Sequence, residues 1–193
     1  MHLAAREHLT ISIQEYLDGE QHSDIRHEYL AGQVYAMAGA GRTHNLIAGN
    51  TFSQLRAAIR GTPCQVFMAD MKVRVDANNA FYYPDVVVTC QAGDSDEYSL
   101  NAPCLIVEVL SPATAGHDQT IKLGAYERAR VLEVWFVHPT DAVVTIYRLE
   151  GTVYGRPEIR ELKGQLSAAV LPQVRIDWER RPGRSASSSA DAA

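Results

Sequence analysis

The stretch Pro103-Cys104-Leu105-Ile106-Val107-Glu108-Val109-Leu110-Ser111-Pro112 constrains the fold more than any other. It is β-branched or leucine at nearly every position and is closed by proline at each end, the pattern of a short strand buried on both faces of a sheet. Glu108 breaks that pattern. A lone carboxylate in a central strand costs on the order of several kcal/mol unless a cation or donor meets it. Upstream, Phe81-Tyr82-Tyr83-Pro84-Asp85-Val86-Val87-Val88 repeats the arrangement, with Asp85 at the mouth of a second apolar run. If the two strands are neighbours, two acids converge at a strand end. Such a pair suits a hard divalent cation, which takes a few carboxylate oxygens and keeps water and phosphate in its remaining positions.

The rest of the chain bounds what can surround this pair. With 193 residues, 46% hydrophobic and 21% charged, it is long enough for one full core, expected over residues 1–179 as a single domain. The last residues, 180–193, are Arg, Pro, Ser and Ala with nothing to form a core, and are expected to be a disordered tail. A net charge of -5 argues against a protein that grips nucleic acid with its whole surface; phosphate binding would need a local basic lining or metal ions. Cys64, Cys90 and Cys104 stand singly, outside any C-x-x-C spacing, and read as buried small hydrophobes in a reducing compartment. No run approaches a membrane span and Met1 to Thr10 is polar, so a soluble, cytoplasmic protein is expected.

In chain order, residues Ile11 to Leu17 suit a short helix ahead of a turn at Asp18-Gly19. Arg26 to Leu30 and Gln33 to Ala38 flank Ala31-Gly32 as a hairpin. From Thr43 as N-cap, the spacing of Leu46, Ile47, Phe52, Leu55, Ala58 and Ile59 predicts a helix that Gly61-Thr62-Pro63 stops. Three strands follow, Gln65 to Val75, Phe81 to Cys90 and Cys104 to Leu110, with an acidic, mobile-looking link over Gln91 to Ala102. A loop of small residues then leads to Asp118 as N-cap of a helix from Gln119 to Arg130. Next come a strand over Leu132 to Val137, an edge or half-exposed strand over Ala142 to Leu149, and short strand-like pieces near Glu158 to Leu162 and Val174 to Trp178. This is an α+β (mixed α/β) order: helix, three strands, helix, strand, with a hairpin before and strands after.

A carboxylate pair of this kind needs a cation to position water or steady developing charge. The usual place would be two residues beyond Glu108, but that residue is Leu110. The preferred donor is Lys122, four residues after Asp118 on the following helix, with Tyr126 continuing the same face.

Together, Tyr83-Pro84-Asp85, Val107-Glu108-Val109-Leu110-Ser111-Pro112, Asp118-x-x-x-Lys122-x-x-x-Tyr126 and Leu132-Glu133-Val134-Trp135 resemble the Uma family of endonucleases, within the PD-(D/E)XK nuclease superfamily. The resemblance extends upstream to Glu28-Tyr29-Leu30-Ala31-Gly32-Gln33-Val34 and Thr43-His44-Asn45. It implies a restriction-endonuclease-like core in which Asp85 and Glu108 bind Mg²⁺ or Mn²⁺ and the lysine has migrated to the helix as Lys122. The implied reaction is metal-dependent hydrolysis of DNA phosphodiester bonds. Glu28 and His44 match family positions and would add an outer metal contact or a phosphate contact, and Lys72 is a rival to Lys122. Ala31 and Ala113 depart from the residues many members carry, without removing a ligand. A homodimer is expected by analogy, since cutting both strands of a duplex calls for two sites. A non-catalytic binding or scaffold protein on the same fold is the competing reading, favoured by the acidic charge and by Leu110. A serine hydrolase is not, because no G-x-S-x-G stands at a strand-to-helix turn.

Overall fold

A computed structural model describes residues 10–91, 93, 97–111 and 117–179. Helix α1 (Ile13–His22) is followed by the hairpin β1 (His27–Leu30) and β2 (Gln33–Ala36), and by helix α2 (Arg42–Ala58). Strands β3 (Gln65–Met68), β4 (Lys72–Val75), β5 (Ala80–Tyr82), β6 (Val86–Thr89), β7 (Ser99–Leu100) and β8 (Leu105–Val109) come next, and then helix α3 (His117–Arg128). The chain ends in β9 (Glu133–His138), β10 (Val143–Glu150), β11 (Val153–Tyr154), β12 (Glu158–Glu161), β13 (Gln165–Ala168) and β14 (Leu171–Asp177). The mixed α+β class expected from the sequence is the one observed.

The central sheet has the order β11-β10-β9-β8-β6-β3, with β12 also paired to β10. β8 pairs antiparallel with β6 and parallel with β9, and α3 makes the crossover between the parallel pair. Strand alternation divides β8 between two cores. Leu105, Val107 and Val109 pack beneath α2 and β14, while Ile106 joins Ala125 and Tyr126 of α3 on the other face. A second sheet, β2-β1-β5-β4-β7, closes that other face through Val73, Val75 and Tyr82. Tyr16, Tyr29 and Phe81 stack to hold α1 against the second sheet.

Two expected strands are each split in two. Gln65 to Val75 breaks between Met68 and Lys72, where Ala69 takes a left-handed conformation (φ 59°), so β3 lies in one sheet and β4 in the other. Phe81 to Cys90 breaks at Tyr83-Pro84-Asp85, where proline has no N–H to give a ladder, so β5 and β6 also belong to different sheets. Apolar runs report burial but not which sheet does the burying.

The hairpin forms at the expected turn, with positive φ at both Ala31 and Gly32 as a tight two-residue connection requires. α1 runs through the expected turn at Asp18-Gly19, because a capping box between Ser12 and Glu15 starts it late and Glu20, in its last turn, is buried against His27. The N-cap of α2 is Gly41 rather than Thr43, and Asp118 lies inside α3, which starts at His117. β10 is the half-exposed strand of the two alternatives rather than an edge, flanked by β9 on one side and by β11 and β12 on the other. The expected tail over 180–193, the small-residue loop over 112–116 and parts of the acidic link fall outside the described residues.

The cysteines are a correction. Cys64 and Cys90 are disulfide-bonded, and only Cys104 is a free, buried thiol. The antiparallel β3–β6 register, Gln65 opposite Thr89, carries on by one residue to face Cys64 with Cys90. That pairing cannot be read from singly spaced cysteines, and the expected reducing compartment had rested on their being free.

Candidate active site

β6 and β8 are paired with Val86 opposite Val107, so continuing the register sets Asp85 opposite Glu108. The convergence is direct: Oδ2 of Asp85 accepts the backbone N–H of Val109 at 2.7 Å. The other oxygen, Oδ1, is held by Nε2 of His44 at 2.7 Å, from the first turn of α2. The hydrogen bond to Asp85 pushes His44 above the usual imidazole range against the opposing effect of burial, and the negative charges of Asp85 and Glu108 add to the rise. The half-buried imidazole spends Nε2 on Asp85, the arrangement an outer metal contact would use.

Glu108 projects from the α3 face of β8. Its Oε1 accepts the Tyr126 hydroxyl at 2.6 Å and lies 3.3 Å from Nζ of Lys122, and its Oε2 accepts no hydrogen bond among the described residues. Nζ of Lys122 is closer still to Glu28, at 2.7 Å, and sits 5.8 Å from the centre of the Tyr82 ring. Glu28 also takes the backbone N–H of Tyr83 at 3.3 Å, which ties β1 to the segment carrying Asp85. Lys122 and Tyr126 lie one helical turn apart on α3, as the i, i+4 spacing requires. The structure thus brings together Asp85, Glu108, Lys122, Tyr126, Glu28 and His44.

Electrostatics follow from that crowding. Burial pushes the Glu108 carboxyl up to about 7; Lys122 pulls it back, and the negative charges of Asp85 and Glu28 add to the rise. Burial works against the Lys122 charge, but Glu108 and Glu28 outweigh it and hold the ammonium above its usual range. Tyr126, buried against Glu108, is raised well above the ordinary phenol range and stays a donor. A carboxyl with its folded-state pKa above the unfolded value adds stability that is complete below about 4.5 and lost as pH rises through about 7. Wild-type protein is therefore expected to lose denaturation midpoint across that window, and Glu108→Gln to lose less, measured by urea titrations at a series of pH values. A matched pH slope in both proteins would contradict the assignment.

Lys72 lies elsewhere. Its Nζ is 3.3 Å from the Tyr83 hydroxyl, over the Tyr83 and Tyr98 rings, and Val73 and Val75 turn to the opposite face of β4. The Tyr83 hydroxyl donates to Glu20, whose carboxylate also takes the N–H and ring nitrogen of His27. This buried group, which the sequence gave no reason to single out, braces the backbone leading into Asp85 from behind. Glu133, the acid of the Leu132-Glu133-Val134-Trp135 motif, is fully buried and accepts from the Trp135 ring and the Val170 N–H, a structural role.

Residues 13–179 match the sequence model of a family described as "Uma2: Putative restriction endonuclease". The chain belongs to this family. It is 32% identical over 139 residues to "Uncharacterized protein slr1290" of Synechocystis, covering 71% of this chain and 73% of that protein. It is 28% identical over 130 residues to "Uncharacterized protein sll1609" of the same organism, covering 66% and 73%. A crystal structure of "a putative nuclease belonging to DUF820" from Anabaena variabilis superposes with a TM-score of 0.71 at 16% identity, over 87% of this Uma2 chain and 95% of that one. At that identity the likeness shows that this Uma2 member shares the neighbour's fold and nothing finer. No helix among the described residues is long and apolar enough to cross a membrane.

The fit of a metal rests on the donors present. Among the described residues no three His, Cys, Asp or Glu side chains form a ready cage for an ion. Magnesium needs no such cage: one or two carboxylates, with water and phosphate, complete its shell. Asp85 and Glu108 supply hard oxygen donors only, converge from paired strands, and Oε2 of Glu108 is uncommitted among the described contacts. The donor set fits.

Proposed function

We propose that this Uma2 member is a divalent-metal-dependent DNA endonuclease in which Asp85 and Glu108 hold Mg²⁺ or Mn²⁺ and Lys122 acts on the scissile phosphate or the attacking water. The observation that carries this reading is the meeting of those carboxylates at the shared end of β6 and β8, with an ammonium delivered from α3. When bound, the cation would supply Lewis acidity, drawing charge from a phosphodiester oxygen and easing deprotonation of water.

The chain's own groups do the rest. Tyr126 fixes the rotamer of Glu108, and His44 with the Val109 N–H fixes Asp85, so both carboxylates are oriented before substrate arrives. Lys122, held between Glu28 and Glu108, keeps its proton and presents positive charge where the phosphoryl oxygens gain negative charge. The migrated lysine replaces the one that Leu110 lacks. A local cation and metal charge would also reconcile phosphate binding with a chain of net charge -5.

The test is supercoiled plasmid incubated with purified protein with and without Mn²⁺. Relaxed or linear product that needs the metal supports the reading, and intact plasmid at all metal concentrations overturns it. Size-exclusion chromatography with light scattering tests the expected homodimer. A binding or scaffold role on the same fold is favoured by one feature, that both Asp85 oxygens are already bonded within the chain. Calorimetric titration with Mn²⁺ separates the two: specific binding heat accompanies the nuclease reading and is missing from a decayed site.

A further inference from the structure

Three sulfur atoms meet at the end of the central sheet opposite the carboxylates. Cys64 precedes β3, Cys90 follows β6 and Cys104 precedes β8. Cys64 and Cys90 are bonded, and the Cys104 thiol lies 3.6 Å from Sγ of Cys90. Strand pairing explains the meeting. The β3–β6 register faces Cys64 with Cys90, and the N–H of Cys104 donates to the Val88 carbonyl at 2.8 Å, setting the entry of β8 beside the exit of β6. None of the nuclease groups takes part.

We propose that Cys64, Cys90 and Cys104 form a thiol–disulfide exchange site, in which the Cys104 sulfur displaces Cys64 from Cys90 and releases a reactive thiol into the cleft beside α2. The step balances within the chain. The Cys104 thiolate attacks Sγ of Cys90, the Cys90–Cys104 bond forms, the Cys64–Cys90 bond breaks, and Cys64 leaves as a thiolate that takes up the proton Cys104 gave away. No oxidant or reductant is consumed. The covalent tie passes from the β3–β6 pair to the β6–β8 pair.

Two features give the exchange direction and a partner. Cys64 lines a cleft of about 280 Å³ together with Arg56, Arg60, Thr62 and Gln65. The guanidinium groups favour the leaving thiolate of Cys64 and attract a small thiol that carries carboxylates. Cys104 is buried with its sulfur 3.6 Å from Sγ of Cys90, so its partner is the neighbouring disulfide. Burial, with a smaller push from Glu133, raises its thiol to about 11 against backbone hydrogen bonds, which leaves roughly one thiolate in ten thousand at neutral pH. Fixed contact offsets that scarcity, because an oriented intramolecular nucleophile acts at an effective concentration of about 10⁵ M.

The experiment equilibrates the full chain in reduced and oxidised glutathione, quenches with acid, alkylates, and quantifies linked peptides by mass spectrometry. Wild type is expected to yield both Cys64–Cys90 and Cys90–Cys104 peptides, with glutathione on Cys64 about tenfold or more over Cys104. Cys64→Ser should form Cys90–Cys104 alone, and Cys104→Ser should form Cys64–Cys90 alone. Wild type that shows only Cys64–Cys90 at equilibrium overturns the proposal, as does a natively folded Cys64→Ser chain with no Cys90–Cys104 bond. If Cys64→Ser does not fold, rates decide. Glutathione should expose Cys64 to alkylation about fivefold or more slowly in Cys104→Ser than in wild type, and equal rates overturn the relay.

Discussion

Glu108→Gln is expected to lose metal-dependent plasmid nicking by about a hundredfold or more while remaining folded, with a melting temperature at pH 8 no lower than wild type. The two halves of this result come from one side chain. The amide keeps an oxygen for the Tyr126 hydroxyl and nearly the same volume, so packing on the α3 face of β8 survives. What disappears is the charge. Burial already outweighs the attraction of Lys122 for the Glu108 carboxylate, as its upward shift to about 7 shows, so removing that charge takes away a cost as well as a ligand. Active sites store instability of this kind. Unchanged nicking by the variant would remove Glu108 from the chemistry, and a large fall in melting temperature would mean that its charge holds the fold together.

Lys122→Met is expected to be the more damaging variant for stability, by about 3 kcal/mol at pH 8, the low end for breaking a buried ion pair. The substitution leaves Glu28 and Glu108 facing each other, near Asp85, without the ammonium they share. Two accompanying signs separate this cause from lost packing. The penalty should shrink on acidification, as the carboxylates take up protons. Mn²⁺ should raise the melting temperature of the variant more than that of wild type, because the metal no longer competes with a resident cation. A penalty that ignores both pH and Mn²⁺ would point to altered packing of the side chain beside the Tyr82 ring instead. Nicking should fall as well, measured on plasmid after the variant's folded fraction is matched to wild type.

The carboxylate pair was legible because it violates a rule: acids in apolar strands need partners, and the partners proved to be a neighbouring strand end and α3. Lys122 and Tyr126 were legible because helical spacing fixes a shared face before any fold is known. The link from Lys122 to Glu28 was hidden, since it joins β1 to α3 through tertiary contact and local pattern carries no trace of it. The same holds for the bond from His44 to Asp85, which joins α2 to the start of β6. The split within Phe81 to Cys90 was missed because that run is buried almost throughout, first by one sheet and then by the other, and the split within Gln65 to Val75 because strand-like residues flank an exposed break at Met68 to Asp70. The turn at Ala69 has no glycine to announce it, whereas Pro84 could have been read as a break. The Cys64–Cys90 bond depended on a cross-strand register that only the assembled sheet defines.

The two-sided packing of β8 limits how chain length can vary near the site. Inserting or deleting one residue between Leu105 and Val107 would turn Glu108 toward α2 and Leu55, and would aim a valine at Lys122. An even-numbered change would keep the face and move the acid along the strand, out of step with Asp85. Homologous chains that retain the pair should therefore keep a constant spacing across β8, and put their insertions and deletions into loops.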